Sequence, residues 1–483
     1  MRFVTRLAEH AVKRANHPAI VTGATTLTHR DLFQSVTRSI SALRELGFAP
    51  SDVIGVSVDD EVEHLIVSLG IMGLGATHIA LAMHDTPQVH ANTMRRAAVN
   101  KMISNQEAAK IVHRAGPRQE APANPSPAFA GSTATLYLKT SGTTGDMNIV
   151  PFSEDQIAAQ AVRHADYEGE RLLRLASIEH NNSKRHRLYC VWAGGTNVFR
   201  PRGSFDLVDF VLAHDVTCLD ISRMHASDIA TLGGAGRLSK VKIRTGGSAV
   251  PHAVRRRIER NATRHLYVRY AATECGAISM ARPGEHDEAE TVGVPLDGVD
   301  LDIIGPDGAP LKRGESGQIR LRAAGVAGGY LDSPEDSAKR FRDGWFYPGD
   351  MGCIREDGRL VIQGRSDDMI VLNGLNIFPA EIERVLEGHP EISCAAALAL
   401  PSQVHGHIPV AAVELKSGAT ISIAELRQFA REALGLKAPR RILALDCLPR
   451  NAQGKIVKKE ILPLFKAGTV EGESDTPGYD RQR

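Results

Sequence analysis

The stretch Tyr137-Leu-Lys-Thr-Ser-Gly-Thr-Thr-Gly145 places a hydroxyl-rich and glycine-rich loop directly after an apolar run. The run from Leu136 to Leu138 favours a strand. Glycine lets the loop backbone approach an anion closely, and the serine and threonine hydroxyls are hydrogen-bond donors. Ser153 and Gln156 then form the capping pattern of a helix. The order predicts a phosphate-binding α/β unit, although such clusters also occur in solvated turns and this one lacks the Gly-Lys-Ser/Thr order of a Walker A loop.

Three later segments are unusual and follow the loop in a fixed order. They are Tyr270-Ala-Ala-Thr-Glu-Cys-Gly276, the span from Gly344-Trp-Phe-Tyr-Pro-Gly-Asp350 through Gly364-Arg-Ser-Asp-Asp-Met-Ile370 to Asn373-Gly-Leu-Asn-Ile-Phe-Pro-Ala-Glu-Ile-Glu383, and Leu448-Pro-Arg-Asn-Ala-Gln-Gly-Lys455. Together with the loop they resemble the core motifs of the adenylate-forming superfamily, which includes acyl-CoA and aryl-CoA synthetases, nonribosomal peptide adenylation domains and luciferases. The resemblance covers nearly the whole chain and is closest to stand-alone aryl and acyl acid ligases.

Length and composition describe an ordinary globular protein. With 483 residues, of which 42% are hydrophobic, the chain is long enough for two or three domains. A net charge of +2 implies neither a nucleic-acid partner nor a membrane, and the basic runs 184–187 and 255–257 are interpreted as solvated faces. The six cysteines have no metal-ligand spacing, and no signal peptide is evident, so we expect a cytoplasmic monomer or homodimer.

The alternation of strand and helix patterns predicts an α/β fold. We expect a large N-terminal domain of α/β subdomains with a flexible, loop-rich centre (residues 1–365), and a small mobile α+β domain (366–467). The polar tail, 468–483, is expected to be disordered. The resemblance implies a hinge at Asp367 between the two domains. Pro379 predicts the first helix of the small domain, and Ser422 with Glu425 predicts the second.

The resemblance also implies how ATP and Mg²⁺ are bound. Asp350 would accept the ribose hydroxyls with Arg365 as a nearby donor, and Tyr270 would stack on the adenine. Glu274 would hold Mg²⁺ against the phosphates. The catalytic residues would be Lys455, Glu274 and Thr273, and the nucleotide would be bound by Thr140, Ser141, Gly142, Thr143, Thr144, Gly145, Gly247, Ser248, Ala249, Tyr270, Ala272, Thr273, Asp350 and Arg365.

The substrate is expected to be a small carboxylic acid bound by His180, Asn181, Gly246, Gly247, Ala272 and Ala277. The pair His180-Asn181 is similar to the His-Asn of aryl-acid adenylating enzymes, whose asparagine faces an ortho substituent of the ring. No Phe-Asp pair precedes it, which disfavours an amino-acid substrate. The short spacing to Gly194 and the frequency of His-Asn in ordinary turns leave the aryl preference open.

The hinge segment and the ending Pro449-Arg-Asn-Ala-Gln-Gly-Lys455 look more like those of CoA ligases than of peptide-synthetase domains, so CoA is the expected acceptor. A carrier protein that is loaded with the acid, or an amine in an amide synthetase, remains an alternative. The usual lysine after the loop is missing, because the sequence continues as Asp146-Met-Asn148. We expect weaker ATP binding or a slower first step, with a non-catalytic nucleotide-binding homologue as a further alternative.

Overall fold

The computed structural model describes residues 2–113, 135–140, 147–163, 165–231, 236–372, 375–402, 405–450 and 456–467. By its internal contacts the chain divides into a first unit, Met1–Ile362, and a second unit, Gln363–Arg483. This division falls three residues before the expected boundary at residue 365. The tail from residue 468 lies outside the described residues. None of the described helices combines the length and the apolar character needed to cross a bilayer.

The helices of the first unit alternate with its strands. They are α1 (Phe3–Lys13), α2 (His29–Glu45), α3 (Glu61–Leu74), α4 (Pro87–Arg96), α5 (Asn105–Val112), α6 (Glu154–Val162), α7 (Asn181–Ala193), α8 (Leu207–Ala213), α9 (Arg223–Thr231), α10 (His252–Asn261) and α11 (Pro334–Arg340). The second unit contains α12 (Pro379–Glu387), α13 (Ile423–Leu434) and α14 (Lys458–Ala467).

The strands run through both units in the following order. Those before the division are β1 (Pro18–Val21), β2 (Thr26–Thr28), β3 (Val53–Val56), β4 (Thr77–Ala80), β5 (Lys101–Ile103), β6 (Thr135–Lys139), β7 (Ile149–Ser153), β8 (Arg171–Arg174), β9 (Thr196–Val198), β10 (Cys218–Ile221), β11 (Lys242–Gly246), β12 (Leu266–Ala272), β13 (Gly276–Ala281), β14 (Val294–Pro295), β15 (Val299–Ile304), β16 (Gly317–Ala323), β17 (Phe341–Arg342), β18 (Trp345–Phe346) and β19 (Asp350–Ile354). The division falls within β20 (Leu360–Arg365). The remaining strands are β21 (Ile370–Leu372), β22 (Leu375–Ile377), β23 (Ile392–Ser402), β24 (Gly406–Leu415) and β25 (Arg441–Leu445).

Two largely parallel sheets dominate the first unit. One has the strand order β14-β13-β12-β11-β10-β8-β9-β1-β2, and the other has the order β5-β3-β4-β6-β7. A third sheet, β17-β18-β16-β19-β20 with β15 beside β16, is antiparallel where β16 pairs with its neighbours. In the second unit β21 pairs with β22, and β23, β24 and β25 form a separate sheet. The predicted mixed α/β fold with a large first part and a smaller second part is confirmed.

Local sequence signals account for the elements that flank the predicted phosphate loop. β6 is the predicted strand, and Ser153 caps α6 through the predicted box with Gln156. In the second unit Pro379 opens α12, and Ser422 caps α13 with the carboxylate of Glu425. A hydroxyl at the N-cap satisfies a helix N–H group that has no partner within the helix, which is why these starts can be read from sequence.

The interpretation of residues 184–187 as a solvated face is wrong. Lys184, Arg185, His186 and Arg187 are all buried in α7, with at most 5% of each residue exposed. The two arginines find acceptors inside the protein: Arg187, for example, donates to Glu61 of α3 at 3.1 Å. The basic run 255–257 is divided, because its first residue is buried and the other two are exposed.

Candidate active site

Strands β11 and β12 end side by side at the edge where the nucleotide-binding residues were predicted. Gly246 pairs with Arg269, and Ala272 pairs with Gly276 at the turn into β13. A Cβ atom on Gly246 would lie 2.6 Å from the carbonyl oxygen of Arg269, so the close strand pairing requires glycine there. Gly247 has a φ of +86°, which also favours glycine. The backbone after β11 is exposed at this edge, at Gly247, Ser248 and Ala249.

Tyr270 and Asp350 form one polar pair in the first unit. The Tyr270 hydroxyl donates a hydrogen bond to the Asp350 carboxylate, and both residues are half-buried. The predicted adenine-stacking and ribose-binding residues are therefore neighbours, as one nucleoside would require. Arg365 belongs to the second unit, where its guanidinium donates to both carboxylate oxygens of Asp367 at 3.0 and 2.9 Å.

Glu274 is held in place by a tyrosine that the sequence analysis missed. The Tyr330 hydroxyl donates to Oε1 of Glu274 at 2.7 Å, and the Ala327 N–H donates to the Glu274 carbonyl at 2.8 Å. Burial and the neighbouring carboxylate raise the pKa of Tyr330, so its hydroxyl remains a donor. The second carboxylate oxygen accepts no hydrogen bond from the described residues.

This arrangement fits the predicted magnesium ligand. Mg²⁺ binds through one or two carboxylates, retains several waters and takes further oxygens from substrate phosphates. Glu274 is partly exposed and presents one oxygen that no described residue occupies. No cluster of three or more potential metal ligands occurs among the described residues. The Glu274 carboxylate therefore suits a metal that takes its other ligands from water and from a substrate phosphate.

Buried side chains of helices α6 and α7 lie behind the turn that carries Thr273 and Glu274. Arg185 of α7 donates to the Thr273 carbonyl oxygen at 2.8 Å. Tyr189, one turn further along α7, donates to Gln160 of α6 at 2.5 Å. These buried partners orient the turn that bears the candidate catalytic side chains.

Thr140 is the one predicted phosphate-loop residue that the structure describes. Its N–H donates to the Asn148 carbonyl at 2.8 Å, and the Asn148 N–H donates back to the Thr140 hydroxyl at 3.0 Å. The side-chain oxygen of Asn148 accepts from Ser333 at 2.9 Å. These bonds close the stem of the loop. The other predicted residues of the loop lie outside the described residues: Ser141, Gly142, Thr143, Thr144 and Gly145. Lys455 also lies outside them.

The predicted acid-binding pair lies beside the loop stem. Asn181 begins α7, and its side-chain amide donates to the carbonyl oxygen of Lys139 at the end of β6. The imidazole of His180 lies 5.3 Å from that of His84, measured between ring centroids. Burial and the neighbouring His84 lower the pKa of His180, which keeps the ring neutral at pH 7. Ala277 lies in β13 and is 4% exposed.

Helix α7 therefore connects both halves of the candidate site. Its first turn contacts the stem of the phosphate loop through Asn181, and its second turn supports the Thr273 carbonyl through Arg185. The sequence analysis assigned Asn181 to the acid substrate and did not predict its contact with the loop stem. It missed the second, because Arg185 was assigned to a solvated face and its partner lies 88 residues further along the chain.

Comparison with known proteins places these features in context. The family profile of AMP-binding enzymes matches residues 7–331, and that of the AMP-binding enzyme C-terminal domain matches residues 381–455. The chain is similar to the 2-succinylbenzoate–CoA ligase of Geobacillus kaustophilus, with 33% identity over 53% of this chain and 53% of the relative, so the match spans about half of that protein. It is also similar to the indoleacetate–CoA ligase of Aromatoleum aromaticum, with 29% identity over 71% of this chain and 69% of the relative.

Solved structures share the fold. The amide bond synthetase McbA from Marinactinospora thermotolerans superposes with a TM-score of 0.82 at 21% identity, covering 96% of this chain and 99% of the other. The aligned residues make up 96% of this chain and therefore come from both units. At this identity the likeness establishes the fold alone.

Proposed function

We propose that this chain, which belongs to the AMP-binding enzyme family, activates a carboxylic acid with ATP as an acyl-adenylate and transfers the acyl group to a thiol. The observation that carries the proposal is the arrangement around Glu274. The Tyr330 hydroxyl donates to one oxygen of its carboxylate, and no described residue donates to the other. Glu274 comes two residues after Ala272 of β12, the strand that pairs with β11 at Gly246.

The first half-reaction brings a substrate carboxylate against the α-phosphorus of ATP, which is itself surrounded by anionic oxygens. The site must neutralise that charge and fix an in-line geometry. We assign the ribose to Asp350 with Tyr270, and the phosphates to Thr140, Thr273 and the loop between β6 and β7. Mg²⁺, held by Glu274, would neutralise phosphate charge. These roles agree with the hydrogen bonds of Tyr270 and Tyr330.

Lys455 is proposed as the cation that stabilises the transition state of adenylation. An ammonium about 4 Å from the reacting oxygens, at an effective dielectric constant near 20, contributes roughly 4 kcal/mol. That energy corresponds to about a thousandfold in rate. Asp367 is proposed as the hinge residue for the second half-reaction, so Asp367→Pro should block acyl transfer and spare adenylate formation.

An aryl acid is the proposed substrate class and CoA the proposed acceptor. The pair His180-Asn181 beside the loop stem favours an aromatic acid, and two relatives are named for 2-succinylbenzoate and indoleacetate. An amine acceptor is the second candidate, because an amide bond synthetase shares the fold over nearly the whole chain. The proposed location is the cytoplasm, because all six cysteines are free thiols and disulfides are rare in that compartment.

The test is acid-dependent exchange of pyrophosphate into ATP across a panel of benzoic, hydroxybenzoic, heteroaryl, cinnamic, fatty and amino acids. Lys455→Ala is expected to lose nearly all exchange while remaining folded. Lys459→Ala is the matched control, because Lys459 is an exposed lysine of α14, and it should exchange normally. ATP binding without exchange for any acid would refute the proposal and favour a non-catalytic homologue. With the acid known, AMP release on addition of CoA or of an amine identifies the acceptor.

A further inference from the structure

Residues 330–336, which we call the bridging segment, contact both the proposed magnesium ligand and the stem of the phosphate loop. At the beginning of the segment the Tyr330 hydroxyl donates to Oε1 of Glu274 at 2.7 Å. The N–H group of Leu331 donates to the carbonyl oxygen of Ile149, the first residue of β7, at 2.8 Å. The bridging segment therefore holds the Glu274 carboxylate and also pairs with the strand that leaves the loop stem.

Further along, the bridging segment contacts Asn148, which closes the loop stem. The Ser333 hydroxyl donates to Oδ1 of Asn148 at 2.9 Å, and Nδ2 of Asn148 donates to the Asp336 carboxylate at 3.3 Å. The backbone of Asn148 is hydrogen-bonded to the N–H and the hydroxyl of Thr140. The residues proposed for the metal and for the phosphates, Glu274 and Thr140, are therefore joined through one segment.

Arg96, the last residue of α4, bonds to the bridging segment and to the loop stem with one guanidinium group. Nε and Nη2 of Arg96 donate to the two carboxylate oxygens of Asp332 at 2.5 and 2.9 Å, and Nη1 donates to the carbonyl oxygen of Met147 at 2.7 Å. The hydrogen bond from Arg96 lowers the pKa of Asp332, so the pair is charged at pH 7. Paired donation from a planar guanidinium fixes direction as well as distance.

The surroundings of this ion pair are polar. A cavity of about 510 Å³ lies against Arg96 and Asp332, and the exposed Arg95 is also part of its wall. Removal of the Arg96 guanidinium would leave no apolar void, because water can reach the polar atoms that remain. Arg96 therefore contributes directional hydrogen bonds more than apolar packing, and its loss should change the position of the loop stem more than the stability of the fold.

We infer that Arg96 is a positioning residue for ATP, which holds the loop stem in register with Glu274. This inference rests on the proposed function and deepens it. The lysine that usually follows the phosphate loop is missing, so ATP binding depends on hydroxyl and backbone donors such as those of Thr140. Hydrogen bonds weaken steeply when their geometry is disturbed, so a displaced stem would bind ATP less tightly. The acid is assigned to other elements, namely α7 and β11 to β13, so its kinetics should change little.

Pyrophosphate exchange, with any acid that supports it in the wild type, tests the inference. In Arg96→Met the kcat/KM for ATP should fall by about tenfold to a hundredfold, as for the loss of hydrogen bonds to a charged group. The kcat/KM for the acid at saturating ATP should stay close to that of the wild type. Arg96→Lys should recover part of the loss, because an ammonium can pair with Asp332 but lacks the fork that also reaches Met147. Arg95→Met removes the same charge from the same turn of α4, and this matched control should behave as the wild type.

A double-mutant cycle tests the connection through Asp332. Asp332→Asn should also lower kcat/KM for ATP, and its combination with Arg96→Met should lose little more than Arg96→Met alone, because both changes break the same pair. Additive losses would overturn the inference, and so would an equal loss in Arg95→Met. Equal losses for ATP and for the acid in Arg96→Met, together with a lower midpoint of thermal unfolding, would indicate a merely structural role and would also overturn it.

Calorimetric titration with ATP and Mg²⁺ in the absence of acid gives a readout that does not depend on turnover. The Kd for ATP should rise about tenfold to a hundredfold in Arg96→Met and stay unchanged in Arg95→Met. If no acid supports exchange in the wild type, acid activation is refuted, and this titration still decides whether Arg96 positions the nucleotide. If the wild type exchanges and the Kd for ATP is unchanged in Arg96→Met, the inference is overturned and acid activation stands.

Discussion

Removal of the Tyr330 hydroxyl tests whether Glu274 serves a metal. Tyr330→Phe deletes the donor of the 2.7 Å hydrogen bond to Oε1 of Glu274 and leaves the ring in place. A hydrogen bond to a charged group contributes about 1.5–3 kcal/mol. Groups that orient a metal ligand typically change metal affinity by about 10-fold to 100-fold when they are removed. We therefore expect the Mg²⁺ concentration for half-maximal activity to rise by that factor.

The assay is pyrophosphate exchange at saturating acid and ATP, titrated with Mg²⁺. The Tyr330→Phe protein should regain most of its activity at high Mg²⁺, because the lost interaction orients the ligand and takes no direct part in the chemistry. Tyr267→Phe is the matched control, since Tyr267 lies in β12 and its hydroxyl has no hydrogen-bond partner among the described residues. An unchanged Mg²⁺ dependence in Tyr330→Phe, or a loss of activity that is the same at every Mg²⁺ concentration, would refute the reasoning.

Three further perturbations test other parts of the structure. Tyr270→Phe removes the donor to Asp350, and we expect the KM for ATP to rise by about tenfold while the KM for the acid stays constant, as steady-state kinetics would show. Asp220 accepts hydrogen bonds from Arg269 at 2.7 and 3.0 Å in a fully buried site; Asp220→Asn should therefore lower the free energy of unfolding by about 3–5 kcal/mol in urea titrations at pH 7. Burial alone would raise the pKa of Asp220, but the neighbouring arginines hold it below its ordinary value. This difference should therefore shrink as the pH falls below about 4, where the unfolded chain takes up a proton before the native carboxylate does. Burial lowers the pKa of Lys184 from 10.5 to about 7, so between pH 7 and 10.5 the lysine is protonated in the unfolded chain and neutral in the native protein. The free energy of unfolding should therefore rise with pH over this range, and Lys184→Met should flatten the rise. An unchanged slope would contradict the lowered pKa of Lys184.

The parts of the fold that sequence predicted correctly are those with local signals. The strand before the phosphate loop follows from its own side chains, and the starts of α6 and α13 follow from hydroxyl and carboxyl or amide groups three residues apart. The order of the four motifs identified the superfamily, and the family profiles confirm it. Each strand, capping or motif signal is contained in a few consecutive residues, and only the order of the motifs extends along the chain.

The contacts that the sequence did not predict join residues far apart in the chain. Tyr330 meets Glu274 across 56 residues, and Arg187 meets Glu61 across 126. A run of four basic residues is normally solvated, because burial of a charge is costly unless a partner is supplied. In α7 the partners come from other elements, and no pattern within the helix reveals them.

The buried basic residues of α7 also have a consequence for the order in which the protein folds. A helix with apolar side chains can be buried by nonspecific collapse, but Arg185 and Arg187 gain nothing from an interior that lacks their acceptors. Glu61, the acceptor of Arg187, lies 126 residues before it, and the Thr273 carbonyl, the acceptor of Arg185, lies 88 residues after it. Contacts of such sequence separation form slowly, because the intervening chain must first be ordered. We therefore expect α7 to dock late during refolding, after the strands on both sides of it have formed.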